Sequence, residues 1–278
     1  MHEIPGKPKE ISGSENMKRL PEMTSELLAR YVDSKKAEGD IGAASIRDGY
    51  GDSIANTIDD IIEGPDKEIQ DLWRKYKDEV LIYNPFYDGW EAYYDPETKT
   101  VLININDCRS GSRFESPYQV AFHEFAHNID FKLNEKINGN GSAAYSETYK
   151  DGLLGKTAKK EAADFIENYR AGMEKEKGSP VSINEACEKI SEELSLKIPL
   201  MERADLSDIF EGATDGKINL GVGHGKDYWK TRDNGIEIFA EIFSASVCNR
   251  GSLNAIKEYF PETYKVFMDI VRSSNEQA

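Results

Sequence analysis

Two of the four histidines in this chain stand four positions apart, in His123-Glu124-Phe125-Ala126-His127. On a helix, residues i and i+4 share a face, so both imidazoles can ligate one metal ion, and zinc is the usual choice for such a pair. Glu124 leaves that face by about 100° and can reach a metal-bound water rather than the metal. A carboxylate there can accept the proton of that water and later give it to a leaving amine. The flanking residues Val120, Phe122, Phe125 and Ile129 are apolar enough to be buried. Two imidazoles and a carboxylate buried without partners would be costly, and ligation removes that conflict. The pattern points to hydrolytic chemistry on one zinc ion per chain.

A catalytic zinc takes a third protein ligand and leaves one position for water. Position 130 is Asp and position 133 is Leu, so no third histidine follows at HExxHxxGxxH spacing. The third ligand is then expected from a carboxylate on another helix. Asn234-Gly235-Ile236-Glu237-Ile238-Phe239-Ala240-Glu241 carries two acids at i and i+4 within an apolar run, and both face one side. Glu237 is the preferred ligand, with Glu241 as its neighbour or as the alternative ligand; a solvated acidic stripe is the competing explanation. Asp130, three residues after His127, can accept the outer ring proton of a liganding histidine and fix its tautomer, or it is an ordinary helix-surface acid. His224 and Tyr228, in a glycine-rich stretch, are the polar groups able to stabilise an oxyanion. Tyr228 is the better choice because a phenol donates at neutral pH.

Those residues need elements to hold them. Residues 1–21 hold Pro5, Pro8 and Pro21 among charges and read as a flexible lead-in or linker, with the look of a piece of a larger protein. Residues 22–80 read as a helical N-terminal region: a helix over 22–37, another over 52–63 stopped by Gly64-Pro65, and a stronger amphipathic one from Asp66 with Ile69, Leu72, Trp73 and Tyr76 on one side. The runs 80–83, 90–94 and 100–105 are β-branched or aromatic, and DPETK (95–99) is a hairpin turn signal. The last of these runs, TVLINI, is the expected edge strand for an extended substrate. A loop is expected over 106–117, a helix opened by Pro117 over 118–136, and loop over 134–160. Helices are expected over 158–176, 182–194 and 235–248, a short one before the glycine-rich stretch, and a last one from Pro261. Strands early and helices late predict an α+β fold, mostly helical, with a small mixed sheet packed on the HExxH helix.

Composition narrows the function. Lys plus Arg number 35 against 51 Asp plus Glu, a net charge of −16, which argues against nucleic-acid binding. No apolar run is long enough to span a membrane, and the N-terminus lacks the apolar core of a secretory signal, so a soluble protein is expected. Three cysteines without a CxxC pair predict reduced thiols rather than a disulfide framework.

HEFAHNID followed far downstream by NGIEIFAEIF is similar to the zinc peptidase domain of anthrax lethal factor and its relatives, which are gluzincins. The resemblance implies a zincin-like metallopeptidase domain over 81–278, His123 and His127 as zinc ligands, Glu124 as general base, and Glu237 as third ligand with Glu241 beside it. It also implies a transition-state tyrosine before the ligand glutamate, for which Tyr228 is the nearest match at a slightly different distance. Residues 204–245 (LSDIFEGATDGKI, GHGKDYW, EIFAEIFSA) look like the C-terminal portion of phage minor head proteins of the head-morphogenesis type. From these follow a peptide or protein substrate, a phage or prophage origin with head or portal proteins as partners, and a virion-associated or host-cytoplasmic setting. The alternatives they leave are a non-catalytic structural or effector module of a phage head and a delivered toxin domain.

Overall fold

The computed structural model describes residues 43–230 and 234–276. The expectations for residues 1–21 and for a helix over 22–37 lie outside these. Four short strands, β1 (Ala44–Ser45), β2 (Leu81–Ile82), β3 (Tyr93–Asp95) and β4 (Thr100–Leu102), form one mixed sheet in the order β1-β2-β4-β3. β1 runs antiparallel to β2, β2 parallel to β4, and β4 antiparallel to β3. Around it lie α1 (Ile46–Tyr50), α2 (Asp52–Ile61), α3 (Lys67–Tyr76), α4 (Ile105–Ser110), α5 (Gln119–Asn138) and α6 (Tyr145–Thr148). The second half is helical: α7 (Leu153–Lys177), α8 (Ile183–Lys197), α9 (Ala204–Thr214), α10 (Asn234–Cys248), α11 (Arg250–Tyr259) and α12 (Pro261–Glu276). The described chain is therefore α+β and mostly helical.

The β3–β4 hairpin closes where the turn chemistry predicts. Asp95 takes the Glu97 amide at 2.9 Å and the Thr98 hydroxyl at 2.7 Å, and Lys99 completes the turn at φ 57°. The strand after it is shorter than expected. Asn104 accepts from the amides of Asn106 and Asp107, so the chain turns into α4 at Ile105 inside the run expected to be strand and loop. β4 is also not an edge strand: it pairs on one side with β2 and on the other with β3, so its backbone groups are taken. β3 stands at the end of the sheet instead.

α5 starts at Gln119 rather than at Pro117, because Tyr118 enters the left-handed region at φ 64°. Gly139, also left-handed, ends it at φ 69°. The stretch 134–160, expected as loop, contains α6 and the first turns of α7. Local composition is overridden there by the buried acid Asp130, whose carboxylate receives the Ser146 amide at 2.8 Å and the Ser146 hydroxyl. α11 was not expected either; Asn249 accepts the Ser252 amide at 3.1 Å and starts it.

α5 and α10 lie against each other through the centre of the core. Phe122 of α5 meets Phe243 of α10 with ring centroids 6.5 Å apart, and Trp73 of α3 covers Phe122 and Phe125 at 5.2 and 5.7 Å. The hairpin rides on the other side of α5, where Tyr94 packs on Phe131 at 5.3 Å and Lys99 pairs with Glu135 at 2.9 Å. Residues 42–278 form one compact unit, in which β1 pairs with β2 and α3 packs on the HExxH helix. No described helix is long and apolar enough to cross a membrane. Cys108, Cys187 and Cys248 are unpaired thiols.

Trp73 is 1 % exposed and backs the residues on both sides of His123. Trp73→Ala should lower stability by about 3–5 kcal/mol, measured by urea unfolding, against under about 0.5 kcal/mol for a surface change such as Lys67→Ala.

Candidate metal centre

α5 and α10 bring three donor atoms together. His123 Nε2 and His127 Nε2 are 3.1 Å apart, and each is 3.5 Å from Glu237 Oε2. In a tetrahedral zinc site with metal–ligand distances of about 2.0–2.1 Å, neighbouring donors are about 3.3–3.4 Å apart. The triangle therefore has the size of one tetrahedral face. Among the described residues this is the group of His, Cys, Asp and Glu side chains able to hold a metal ion. The two imidazoles share a face of α5 at i, i+4 spacing, and Glu237, 2 % exposed, is presented by the N-terminal turn of α10. Two nitrogens and a carboxylate oxygen are a donor set that zinc accepts.

The second acid of α10 takes a different place. Glu241 Oε1 lies 3.4 Å from His123 Nδ1, the ring nitrogen turned away from the triangle. A carboxylate there keeps the proton on Nδ1 and leaves Nε2 as donor. The Tyr228 hydroxyl donates to Glu237 Oε1 at 2.7 Å, which leaves Oε2 toward the imidazoles. Burial opposes the charge on Glu237, yet the two histidines beside it hold its carboxyl well below the ordinary range. Burial pushes Glu241 well above it, against the pull of His123. His123 is itself raised despite burial, chiefly by Glu241.

Glu124 is 7 % exposed and, among the described residues, has no hydrogen-bond or ion-pair partner. Burial, and then the charge of Glu124, pushes the nearby Cys108 thiol up to about 12, so it stays protonated beside that acid. Asp130 is on the opposite errand from the one considered for it: it lies fully buried on the Ser146 end of α6, not against an imidazole and not on the surface. His224 is 39 % exposed at its side chain, with its ring stacked on Tyr228 at 4.1 Å and Nδ1 3.1 Å from Asp208. Burial works against its charge, but Asp208 outweighs that and lifts it to about 9. It is thus a cationic donor at neutral pH.

Comparison with known proteins gives no family. No family model matches the chain, and no curated protein or solved structure matches it significantly. The site rests on its own geometry.

Sequence reasoning missed the acids of α9. Asp205, Asp208 and Glu211 recur every three residues in ADLSDIFEGAT and are all buried. Asp205 receives both 2.8 Å contacts of the Gln119 amide and the Ser252 hydroxyl, tying α9 to the start of α5 and to α11. Asp208 takes the His224 amide at 2.9 Å, and Glu211 takes the Gly225 amide at 2.7 Å and Trp229 Nε1 at 3.2 Å. The glycine-rich stretch is pinned by these two acids and passes so close that a Cβ at Gly223 would stand 2.6 Å from Asp208 Oδ1. The readable signal was three acids at near-helical spacing among Leu206, Ile209 and Phe210, which solvation does not explain.

Burial raises the Asp130 carboxyl to about 7 from 3.8, against the opposing bonds from Ser146. Folded protein then keeps this proton across a window where unfolded chain has lost it, so the contribution to stability falls as pH rises from about 4 to about 7. Asp130→Asn should remove that part of the slope. Unfolding free energies of the two proteins in chelator should shift in favour of the variant across this window, by at most about 1.4 kcal/mol per pH unit.

Proposed function

We propose that the chain is a zinc-dependent endopeptidase with a zincin-like arrangement, His123, His127 and Glu237 being the residues that hold the metal. The observation that carries this reading is the triangle of Nε2, Nε2 and Oε2 atoms at 3.1, 3.5 and 3.5 Å, with the HExxH acid next to it. Zinc, when bound, supplies a Lewis acid that polarises a carbonyl and makes water a nucleophile at neutral pH. Glu124, buried and without a competing partner among the described residues, accepts the proton of the attacking water and hands it to the leaving nitrogen. Glu241 holds His123 in the tautomer that ligates. Tyr228 and the cationic His224 are the donors facing the site from the glycine-rich stretch, and they stabilise the oxyanion once Tyr228 leaves Glu237.

The substrate is a peptide or protein. The likeness of residues 204–245 to phage minor head proteins supports a phage or prophage setting, with head or portal proteins as the first substrates and partners to try. The charge of −16 argues against a nucleic-acid partner.

Glu124→Gln should retain zinc and lose cleavage by about 10²–10⁴-fold, followed by mass spectrometry on a random peptide library. A Glu124→Gln protein as active as the wild type removes Glu124 from the mechanism. Zinc-loaded wild type that leaves the library and phage head proteins intact identifies a non-catalytic module instead.

A further inference from the structure

Tyr228 reaches Glu237 across a chain of contacts that begins on a different helix. Asp208, buried on α9, takes both the backbone amide of His224 at 2.9 Å and its ring Nδ1 at 3.1 Å. That double grip fixes the imidazole plane. The Tyr228 ring lies flat on it, centroids 4.1 Å apart and planes 20° apart. Beside it, at about a right angle to that stack, Trp229 crosses the phenol edge-on at 5.2 Å, 6.2 Å from the imidazole, and is held by Glu211. With its face on the imidazole and its edge on the indole, the phenol is seated so that its hydroxyl ends 2.7 Å from Glu237 Oε1.

We propose that Asp208 and His224 are positioning residues for the metal-ligating carboxylate: they hold the Tyr228 ring so that its hydroxyl engages Oε1 of Glu237 and Oε2 alone is directed at the imidazoles. The inference rests on the reading of Glu237 as a ligand. It adds that metal affinity is set from α9, through a stacked ring pair, by residues that do not touch the metal. A carboxylate with one oxygen held by a donor binds through the other in a fixed orientation, and losing such a partner weakens metal binding about 10–100-fold.

The test is the zinc dissociation constant of the full chain, measured by competition with a chromophoric chelator, for wild type, Tyr228→Phe, His224→Ala, His224→Phe and Asp208→Ala. Tyr228→Phe should weaken binding about 10–100-fold. His224→Ala and Asp208→Ala should each weaken it, and neither should weaken it further once Tyr228→Phe is present, because both act through that hydroxyl. His224→Phe keeps a flat ring under Tyr228 and should recover most of the affinity lost in His224→Ala. His224 is partly exposed, so its variants leave the core in place. Wild-type affinity in Tyr228→Phe or in His224→Ala overturns the proposal, as do effects of His224→Ala and Tyr228→Phe that multiply. Wild type that binds no zinc fails the ligand reading itself and the inference with it. Wild type that binds zinc with affinity indifferent to Tyr228 fails the inference alone.

Discussion

Three donor atoms within 3.5 Å of one another, two imidazole nitrogens and a carboxylate oxygen, cannot rest in a dry site unless something positive lies among them. Without a metal that charge must be supplied by protons. The structure has that signature: the two histidines hold Glu237 ionised against its burial, while Glu241 raises His123 and burial raises Glu241 behind it. A divalent ion held by His123, His127 and Glu237 would meet the same need, with Nε2 of both rings as donors. Glu241 then has the natural task of keeping the Nδ1 proton in place. Everything else in the fold follows from holding α5 and α10 close enough for this arrangement to exist.

Two kinds of packing do that holding. On the apolar side, Phe122, Phe243 and Trp73 fix the distance between α5, α10 and α3. On the polar side, buried acids act as pins: Asp130 seats α6 on α5, Asp205 joins α9 to α5 and α11, and Asp208 and Glu211 tie the glycine-rich stretch over the site. Each of these carboxylates is hydrogen-bonded, which is the condition for keeping it inside. Burial is the main cause of the raised pKa values of Asp130 and Glu211, both at about 7, with the charge of Glu147 adding to the first and that of Asp208 to the second.

The parts of this design legible in the sequence are those set by spacing along one helix. His123 and His127 at i, i+4 with Glu124 turned away are a property of α5, and Glu237 with Glu241 one turn on is a property of α10; within each helix the period alone orders them. The four apolar positions of α3 were readable for the same reason and are all buried. What was not legible depends on which elements meet. TVLINI has the composition of an edge or an inner strand alike, and only its pairing with both β2 and β3 decides between them. Asp130 points at an imidazole or at α6 depending on where residues 140–146 are laid, and their Gly, Asn and Ser content suggested loop. α4 and α11 are started by Asn104 and Asn249, short caps that a reading by hydrophobic period passes over. Tyr228, placed by its chemistry as an oxyanion donor, is found on the carboxylate of Glu237, a contact that joins two elements and has no trace in local sequence.

The central claim is that the triad holds a metal ion, and the most direct test is elemental mass spectrometry on the purified, extensively dialysed protein beside His127→Ala. The account predicts about one zinc per chain in the wild type and none in the variant. A wild type without metal even after zinc is added, or zinc content unchanged by His127→Ala, would contradict it.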